Sequence, residues 1–179
     1  MLKNTDNTYG LIARMFHWLI AIAIISLLIV GFNMTGMAQS PEKFELYGMH
    51  KASGMIVLTL VIMRILWRFS NKIVQLPADL PYAMKLGARA GHFLLYVFML
   101  AMPISGAMMS LFSGFDIAIF NFFTIPAFEK NLGLAKFFHT LHGTVAWCFV
   151  VVIVLHICAA FYHHFIRKDN VLMRIIKQT

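Results

Sequence analysis

Hydrophobic residues are concentrated in four long stretches, separated by polar segments that contain turn-forming residues. These stretches cover roughly residues 11–36, 44–69, 82–111 and 135–166. Each is longer than the roughly 20 residues that a helix needs to cross a hydrocarbon layer about 30 Å thick. The pattern predicts an all-α integral membrane protein, in which residues 1–179 form a single domain built as a four-helix transmembrane bundle.

Two of the apolar segments have more than one possible structure. The first stretch is longer than the 7–15 apolar residues of a signal peptide, and no A-x-A cleavage site follows it, so we expect a membrane helix. Between the third and fourth stretches, FDIAIFNFFTIPAF is too apolar for free solvent, and we expect it in the membrane interface. Pro103 lies inside the third stretch, where a membrane helix tolerates a kink.

The composition agrees with a membrane protein and argues against nucleic-acid binding. Hydrophobic residues make up 60% of the 179 residues and charged residues 12%, whereas soluble domains have about 25% charged residues. The net charge of +8 is concentrated beside the apolar stretches, as the positive-inside rule predicts for membrane topology.

Four crossings place both termini on the same side of the membrane. That side receives eleven of the fifteen Lys and Arg residues, and only Lys43, Lys51, Lys130 and Lys136 fall on the other. This bias predicts cytoplasmic termini. On the outer side, four acidic residues balance the four lysines.

Histidine is the most informative residue type within the apolar stretches, because intramembrane ionisable side chains usually have a function. Under the predicted topology, His17 and His156 lie near the cytoplasmic surface, and His50 and His142 lie near the outer surface. Fourteen residues separate His142 from His156, so both lie on one face of a helix, about 21 Å apart along its axis.

The chemistry of two imidazoles per level favours haem. A zinc site usually has four protein ligands, and the one carboxylate within the stretches, Glu45, lies at the start of the second stretch. An iron porphyrin provides four nitrogens of its own, and two trans histidines complete its coordination. We therefore predict two haem groups. Covalent c-type attachment is excluded because Cys148 and Cys158 form no C-x-x-C-H motif, and we interpret both cysteines as packing residues.

A small residue follows each candidate ligand by four positions, which would leave room for a flat macrocycle. These residues are Ala21, Gly54, Ala146 and Ala160. His139, followed by Gly143, passes the same test, but we expect it, with His163 and His164, to be a helix-end residue. His92 is followed by Tyr96 and is interpreted as a propionate or quinone contact, or as an interfacial residue. Arg14 is a candidate partner of a propionate or a phosphate.

Several motifs are similar to those of the bacterial cytochrome b561 family. They are FHWL around His17, MHKASG around His50, LHGTVAW around His142, and LHICAAFYHHFIRKDNVLMRI near the end of the chain. The resemblance covers nearly the whole sequence and extends to the cytochrome b subunits of formate dehydrogenase and nickel–iron hydrogenase. It implies a multi-pass protein of the bacterial inner membrane. His17 and His156 would then ligate a cytoplasmic haem b, and His50 and His142 an outer one.

The resemblance also implies an oxidoreductase activity. Family members similar to this chain at full length are superoxide oxidases, which pass electrons from superoxide to ubiquinone. The implied partners are membrane lipid, the quinone pool and a small electron donor. Lys51, beside His50, is the candidate for attracting superoxide on the otherwise neutral outer side. Quinone reduction consumes protons, for which His92, His163 and Arg14 are candidate contacts.

Two other functions are compatible with the sequence. The chain can be the cytochrome b subunit of a dehydrogenase or hydrogenase, accepting electrons from a redox protein; its short outer loops disfavour this. Alternatively, the histidines can form a relay in a proton or metal transporter, which predicts a colourless protein.

Overall fold

The computed structural model describes residues 1–120 and 122–177, and it is mostly helical. The elements in chain order are α1 (Leu11–Gly36), α2 (Pro41–Phe69), α3 (Tyr82–Phe112), β1 (Ile117–Ile119), β2 (Phe123–Ile125), α4 (Leu132–Phe161), a π-helical turn (Tyr162–Arg167) and the short α5 (Met173–Ile176). Helices α1, α2, α3 and the segment Leu132–Arg167 are long and apolar enough to span a membrane. The predicted all-α fold with four membrane helices is therefore confirmed.

The predicted helix limits differ from the observed ones mainly at helix starts. Helix α2 begins at Pro41, because proline is well suited to the first turn of a helix, where its missing N–H is not needed. Helix α4 begins at Leu132, after Asn131, whose side-chain oxygen accepts a hydrogen bond from the N–H of Leu134. The proline and the cap, which hydrophobicity does not detect, place both starts three residues earlier than predicted.

A small hairpin occupies the apolar segment between α3 and α4. Strands β1 and β2 are antiparallel, and Ile117 pairs with Ile125. Ile117 and Ile119 are buried against Ala107 and Leu111 of α3. The hairpin thus buries part of this segment by packing, while Phe122 and Phe123 remain exposed. Asn121 lies outside the described residues.

The chain divides into two compact units, and every long helix contributes to both. Unit 1 comprises Met1–Leu19, Ile62–Val97 and the chain from Cys148 onwards. Unit 2 comprises Ile20–Val61 and Phe98–Trp147. Large apolar side chains on the helix surfaces are exposed, for example Leu155 and Trp147. Such surfaces suit a hydrocarbon environment.

Candidate haem sites

Three histidines come together in unit 1. The ring centroids of His17 on α1 and His156 on α4 are 6.3 Å apart, and those of His92 on α3 and His156 are 5.6 Å apart. The structure therefore brings together the two histidines that the sequence assigns to one haem. It also places His92, a candidate propionate or quinone contact, against the same ring.

The separation of His17 and His156 fits two ligands of one metal ion. Metal–nitrogen bonds to imidazole are about 2.0 Å long, so two imidazoles on opposite sides of one metal have ring centroids roughly 6 Å apart. Within residues 1–120 and 122–177, no group of three or more His, Cys, Asp or Glu side chains is arranged to hold a metal ion. A porphyrin needs only two protein ligands, and the pair of imidazoles meets this requirement.

Hydrogen-bond donors without partners lie in the same unit. Among the described residues, the buried Nε of Arg14 and Nε1 of Trp67 have no hydrogen-bond partner. Arg14 also donates through Nη1 to the carbonyl of Ile176, at 3.3 Å. Buried donors are rarely left unpaired in proteins, and the propionate carboxylates of haem b are acceptors of the kind that they require. A propionate would therefore give Nε of Arg14 the acceptor that it lacks, and this role stays a prediction.

The guanidinium group of Arg64 lies beside His17. Its Nη2 is 3.4 Å from Nδ1 of the imidazole. Arg64 and Arg68 also lie over the ring of Tyr96, each 5.7 Å from the ring centroid. Because arginine stays protonated in proteins, His17 has a permanent positive charge next to it. Arg64 was not predicted as a site residue, because it is forty-seven residues from His17 along the chain.

Unit 2 contains the second pair of candidate ligands, His50 on α2 and His142 on α4. The two imidazoles are near enough to interact electrostatically. Nδ1 of His142 lies 3.0 Å from the carbonyl oxygen of Met102 and 3.1 Å from Oγ of Ser105. A carbonyl oxygen only accepts hydrogen bonds, so Nδ1 carries the hydrogen. The lone pair of Nε2 is then available to a metal.

Two glycines allow the histidines of unit 2 to pack closely against neighbouring helices. A Cβ at Gly106 would lie 2.9 Å from Cε1 of His142, and a Cβ at Gly31 would lie 3.3 Å from Cε1 of His50. The buried Nδ1 of His50 has no partner among the described residues, so His50 retains an unused polar atom. The unit therefore provides two imidazoles, each packed closely against a neighbouring helix, that fit the ligand set of a haem.

The small residues predicted to leave room for a macrocycle have different environments. A Cβ at Gly54 would meet nothing within 4 Å, so this position is open. Ala146 is buried instead. The glycines that contact imidazoles, Gly31 and Gly106, belong to other helices than the ligands they touch. Spacing along one helix could not reveal these contacts.

The other candidate contacts, His163 and Lys51, each have polar partners. His163 is buried in the π-helical turn, and its Nδ1 lies 2.6 Å from Oδ2 of Asp169. Arg167 contacts the same carboxylate oxygen at 3.3 Å and pairs with Asp79 at 2.6 Å. Nζ of Lys51 donates to Oγ of Ser110 at 3.1 Å and to the carbonyl of Asp116 at 2.8 Å.

The contacts of Asp169 affect its ionisation. Partial burial opposes ionisation, but hydrogen bonds from His163, the N–H of Val171 and Arg167 outweigh it and lower the pKa of the carboxyl. Asp169 is therefore a carboxylate that organises the end of the fourth membrane segment. Asp169 lies in the motif LHICAAFYHHFIRKDNVLMRI, but the sequence alone does not indicate its role.

Together, four membrane-length helices and facing intramembrane histidines define a polytopic membrane protein able to hold porphyrin. The sequence profile of the prokaryotic cytochrome b561 family matches residues 8–178, and the chain belongs to this family. The family consists of haem b proteins that transfer electrons in membranes. This membership and the four membrane helices identify a multi-pass protein of the bacterial inner membrane.

Individual relatives support the same membership. The chain is 36% identical to "Cytochrome b561 homolog 2" of Escherichia coli K12, over 97% of this chain and 93% of the relative. It is 30% identical to "Cytochrome b561 homolog 1" of the same organism, over 71% and 72% of the two chains. It is 28% identical to "Probable superoxide oxidase CybB" of Yersinia pestis, over 89% and 90% of the two chains.

Proposed function

We propose that the protein is a di-haem b cytochrome that oxidises superoxide at the outer side of the inner membrane and reduces ubiquinone. In this proposal, His17 and His156 hold one haem, and His50 and His142 hold the other. The observation that carries it is the 6.3 Å separation between the ring centroids of His17 and His156, which suits two ligands of one iron.

Haem b supplies reversible one-electron oxidation and reduction when it is bound. The chain's own residues determine how the ligands are presented. The carbonyl of Met102 holds the hydrogen on Nδ1 of His142 and leaves Nε2 free for iron. Arg14 and Trp67 offer unpaired donors in unit 1, which suit propionates.

The overall reaction is balanced by electrons and protons. Two superoxide anions each lose one electron and leave as dioxygen, and one ubiquinone gains two electrons and two protons to become ubiquinol. Lys51 is the candidate for attracting the anion, since its two hydrogen-bond acceptors, Ser110 Oγ and the Asp116 carbonyl, are neutral and leave the ammonium charge intact.

The quinone side of the reaction needs proton donors, and unit 1 contains suitable groups. His163 donates through Nδ1 to Asp169, which orients the ring and leaves Nε2 to exchange a proton. His92 is exposed and contacts the ring of His156. We propose that ubiquinone binds near His92 and His163, with Arg14 contacting either a haem propionate or the quinone.

The names of the relatives differ in whether they indicate superoxide as the substrate. The Yersinia pestis protein whose name includes superoxide oxidase is 28% identical. The relative with 36% identity is named only as a cytochrome b561 homologue. The membrane cytochrome function is thus a property of the family, and superoxide as electron donor is part of our proposal.

A second candidate function is that of an electron-transfer subunit bound to a partner. The exposed aromatic residues of the hairpin favour it: Phe122 is 88% exposed and Phe123 is 61% exposed, and such side chains suit a protein contact as well as the lipid interface. In this case the donor is a redox protein, and the isolated chain has no activity with superoxide.

The test uses the purified chain in lipid nanodiscs. We expect two protohaems per chain by the pyridine haemochromogen assay. We also expect haem reduction by enzymatically generated superoxide and ubiquinol formation that superoxide dismutase abolishes. Reduction only in the presence of a co-purifying flavin or iron–sulfur protein favours the subunit function. A colourless protein refutes both functions and favours the transporter.

A further inference from the structure

The two pairs of candidate ligands differ in the charge around them. In unit 1, Arg64 lies 3.4 Å from Nδ1 of His17 and shares the ring of Tyr96 with Arg68. The ion pairs of residues 1–120 and 122–177 join Asp6 to Lys72, Asp79 to Arg167, and Asp169 to both His163 and Arg167. None of these carboxylates pairs with Arg64 or Arg68, so no protein carboxylate among the described residues neutralises the two guanidinium groups.

The charge of Arg64 persists when His17 binds a metal. Ligation through Nε2 leaves the hydrogen on Nδ1, and a guanidinium cannot accept it. The hydrogen bond would then be lost, but the face of Tyr96 is a second contact that holds the guanidinium in this part of unit 1. A fixed positive charge in a membrane interior opposes further positive charge nearby. It therefore favours reduced iron over oxidised iron at His17.

The surroundings of His142 act in the opposite direction. Its Nδ1–H donates to the carbonyl of Met102 at 3.0 Å, and such a bond makes the imidazole a stronger electron donor to a metal. A stronger donor stabilises oxidised iron and lowers its reduction potential. The cation of unit 2 closest in sequence to a ligand is Lys51, and its ammonium donates to Ser110 Oγ and to the carbonyl of Asp116, not to a histidine.

We propose that Arg64 gives the haem at His17 and His156 the higher reduction potential of the two. The Met102 carbonyl keeps the reduction potential of the haem at His50 and His142 lower. The inference rests on the proposed function, because it requires both ligand pairs. The order of potentials drives electrons from the outer haem toward the haem at His17 and His156, near which we propose that quinone is reduced.

Spectroelectrochemical titration of the purified holoprotein tests this inference without measuring activity. We expect two components in the α-band. Arg64→Gln should move the higher component to a lower potential and leave the lower component unchanged. Arg64→Lys keeps a positive charge at this position, so it should keep most of the higher potential. Arg68→Gln removes the second guanidinium over Tyr96 and should move the same component by less. It replaces Arg64→Gln as the test if that variant loses haem.

Lys136→Gln is the matched control, because it removes one exposed cation from unit 2 and should change neither component. The inference is overturned if the parent protein holds two haems but neither Arg64→Gln nor Arg68→Gln changes the higher potential. It is also overturned if only the lower potential shifts. Both results leave the proposed function intact. Fewer than two haems in the parent protein overturn the ligand pairs and the inference together.

Discussion

The imidazole of His142 on α4 lies against the backbone of α3, with Nδ1 3.0 Å from the carbonyl oxygen of Met102. Residue 106 makes this approach possible, because a Cβ at Gly106 would lie 2.9 Å from Cε1 of the ring. Real Cβ atoms almost never come this close to another heavy atom. Glycine at this position therefore permits the orientation that a candidate haem ligand adopts.

Gly106→Ala should displace the ring of His142 and weaken haem binding in unit 2. We expect haem content to fall from two per chain toward one, as measured by pyridine haemochromogen analysis. In an otherwise unconstrained helix, alanine is favoured over glycine by roughly 0.5–1 kcal/mol. Gly48→Ala on α2, where a Cβ meets nothing within 4 Å, is the control and should keep both haems. Two haems with an unchanged spectrum in Gly106→Ala would contradict the role of this contact.

Replacing single histidines should remove single haems. His156→Ala should lose the haem of unit 1 and retain that of unit 2, and His50→Ala should do the reverse, because each iron loses one of its two protein ligands. Haem stoichiometry and the α-band of the reduced protein report the result.

The neighbours of His156 allow a sharper version of this test. Both His17 and His92 lie within 6.3 Å of it, centroid to centroid. We expect His17→Ala to lose haem and His92→Ala to keep it, with His164→Ala as the unaffected control. Haem loss in His92→Ala and retention in His17→Ala would mean that α3, and not α1, provides the ligand.

Lys51→Gln removes a charge and retains hydrogen-bonding capacity toward Ser110 and Asp116. We expect the rate of haem reduction by superoxide to fall several-fold at low salt, because a local cation raises the encounter rate of an anion. The difference should shrink at high ionic strength, where charges are screened. Stopped-flow spectroscopy measures both rates, with Lys136→Gln as a matched variant. Equal rates for the parent and Lys51→Gln at low salt would exclude Lys51 from superoxide capture.

Asp169 should make stability dependent on pH in the acidic range. Its pKa is lowered in the folded protein below the ordinary value of 3.8, so its contribution is fully present above that value and disappears as pH falls through the lower folded pKa. In thermal unfolding of the holoprotein in detergent, Asp169→Asn should be less stable than the parent at pH 6. The difference should narrow below about pH 4.

Asp6→Asn provides the comparison for Asp169, because Asp6 pairs with Lys72 in an exposed ion pair, and such pairs contribute little. We expect this variant to unfold close to the parent temperature at both pH values. If the difference in unfolding temperature between Asp169→Asn and the parent stays constant from pH 6 to pH 3, ionisation of Asp169 is not the source of that difference.

The membrane helices could be predicted from sequence because lipid imposes a simple requirement. A segment must be apolar over about 20 residues, and its backbone groups must be hydrogen-bonded internally. The first predicted stretch coincides with α1, and the third with all but the last residue of α3. The π-helical turn at Tyr162–Arg167 was not predicted, because its i→i+5 hydrogen bonds leave no periodic signature in six residues.

The sequence by itself determined the membrane-spanning architecture and the chemistry of the candidate ligands, because hydrophobic length and residue type are local properties of the chain. Only the tertiary structure revealed that Arg64 lies beside His17 and that Met102 and Gly106 contact the ring of His142. It also revealed the hydrogen bond between His163 and Asp169. These partners are six to forty-seven residues apart. Most of them meet because different helices pack together, and no local pattern encodes which side chain faces which.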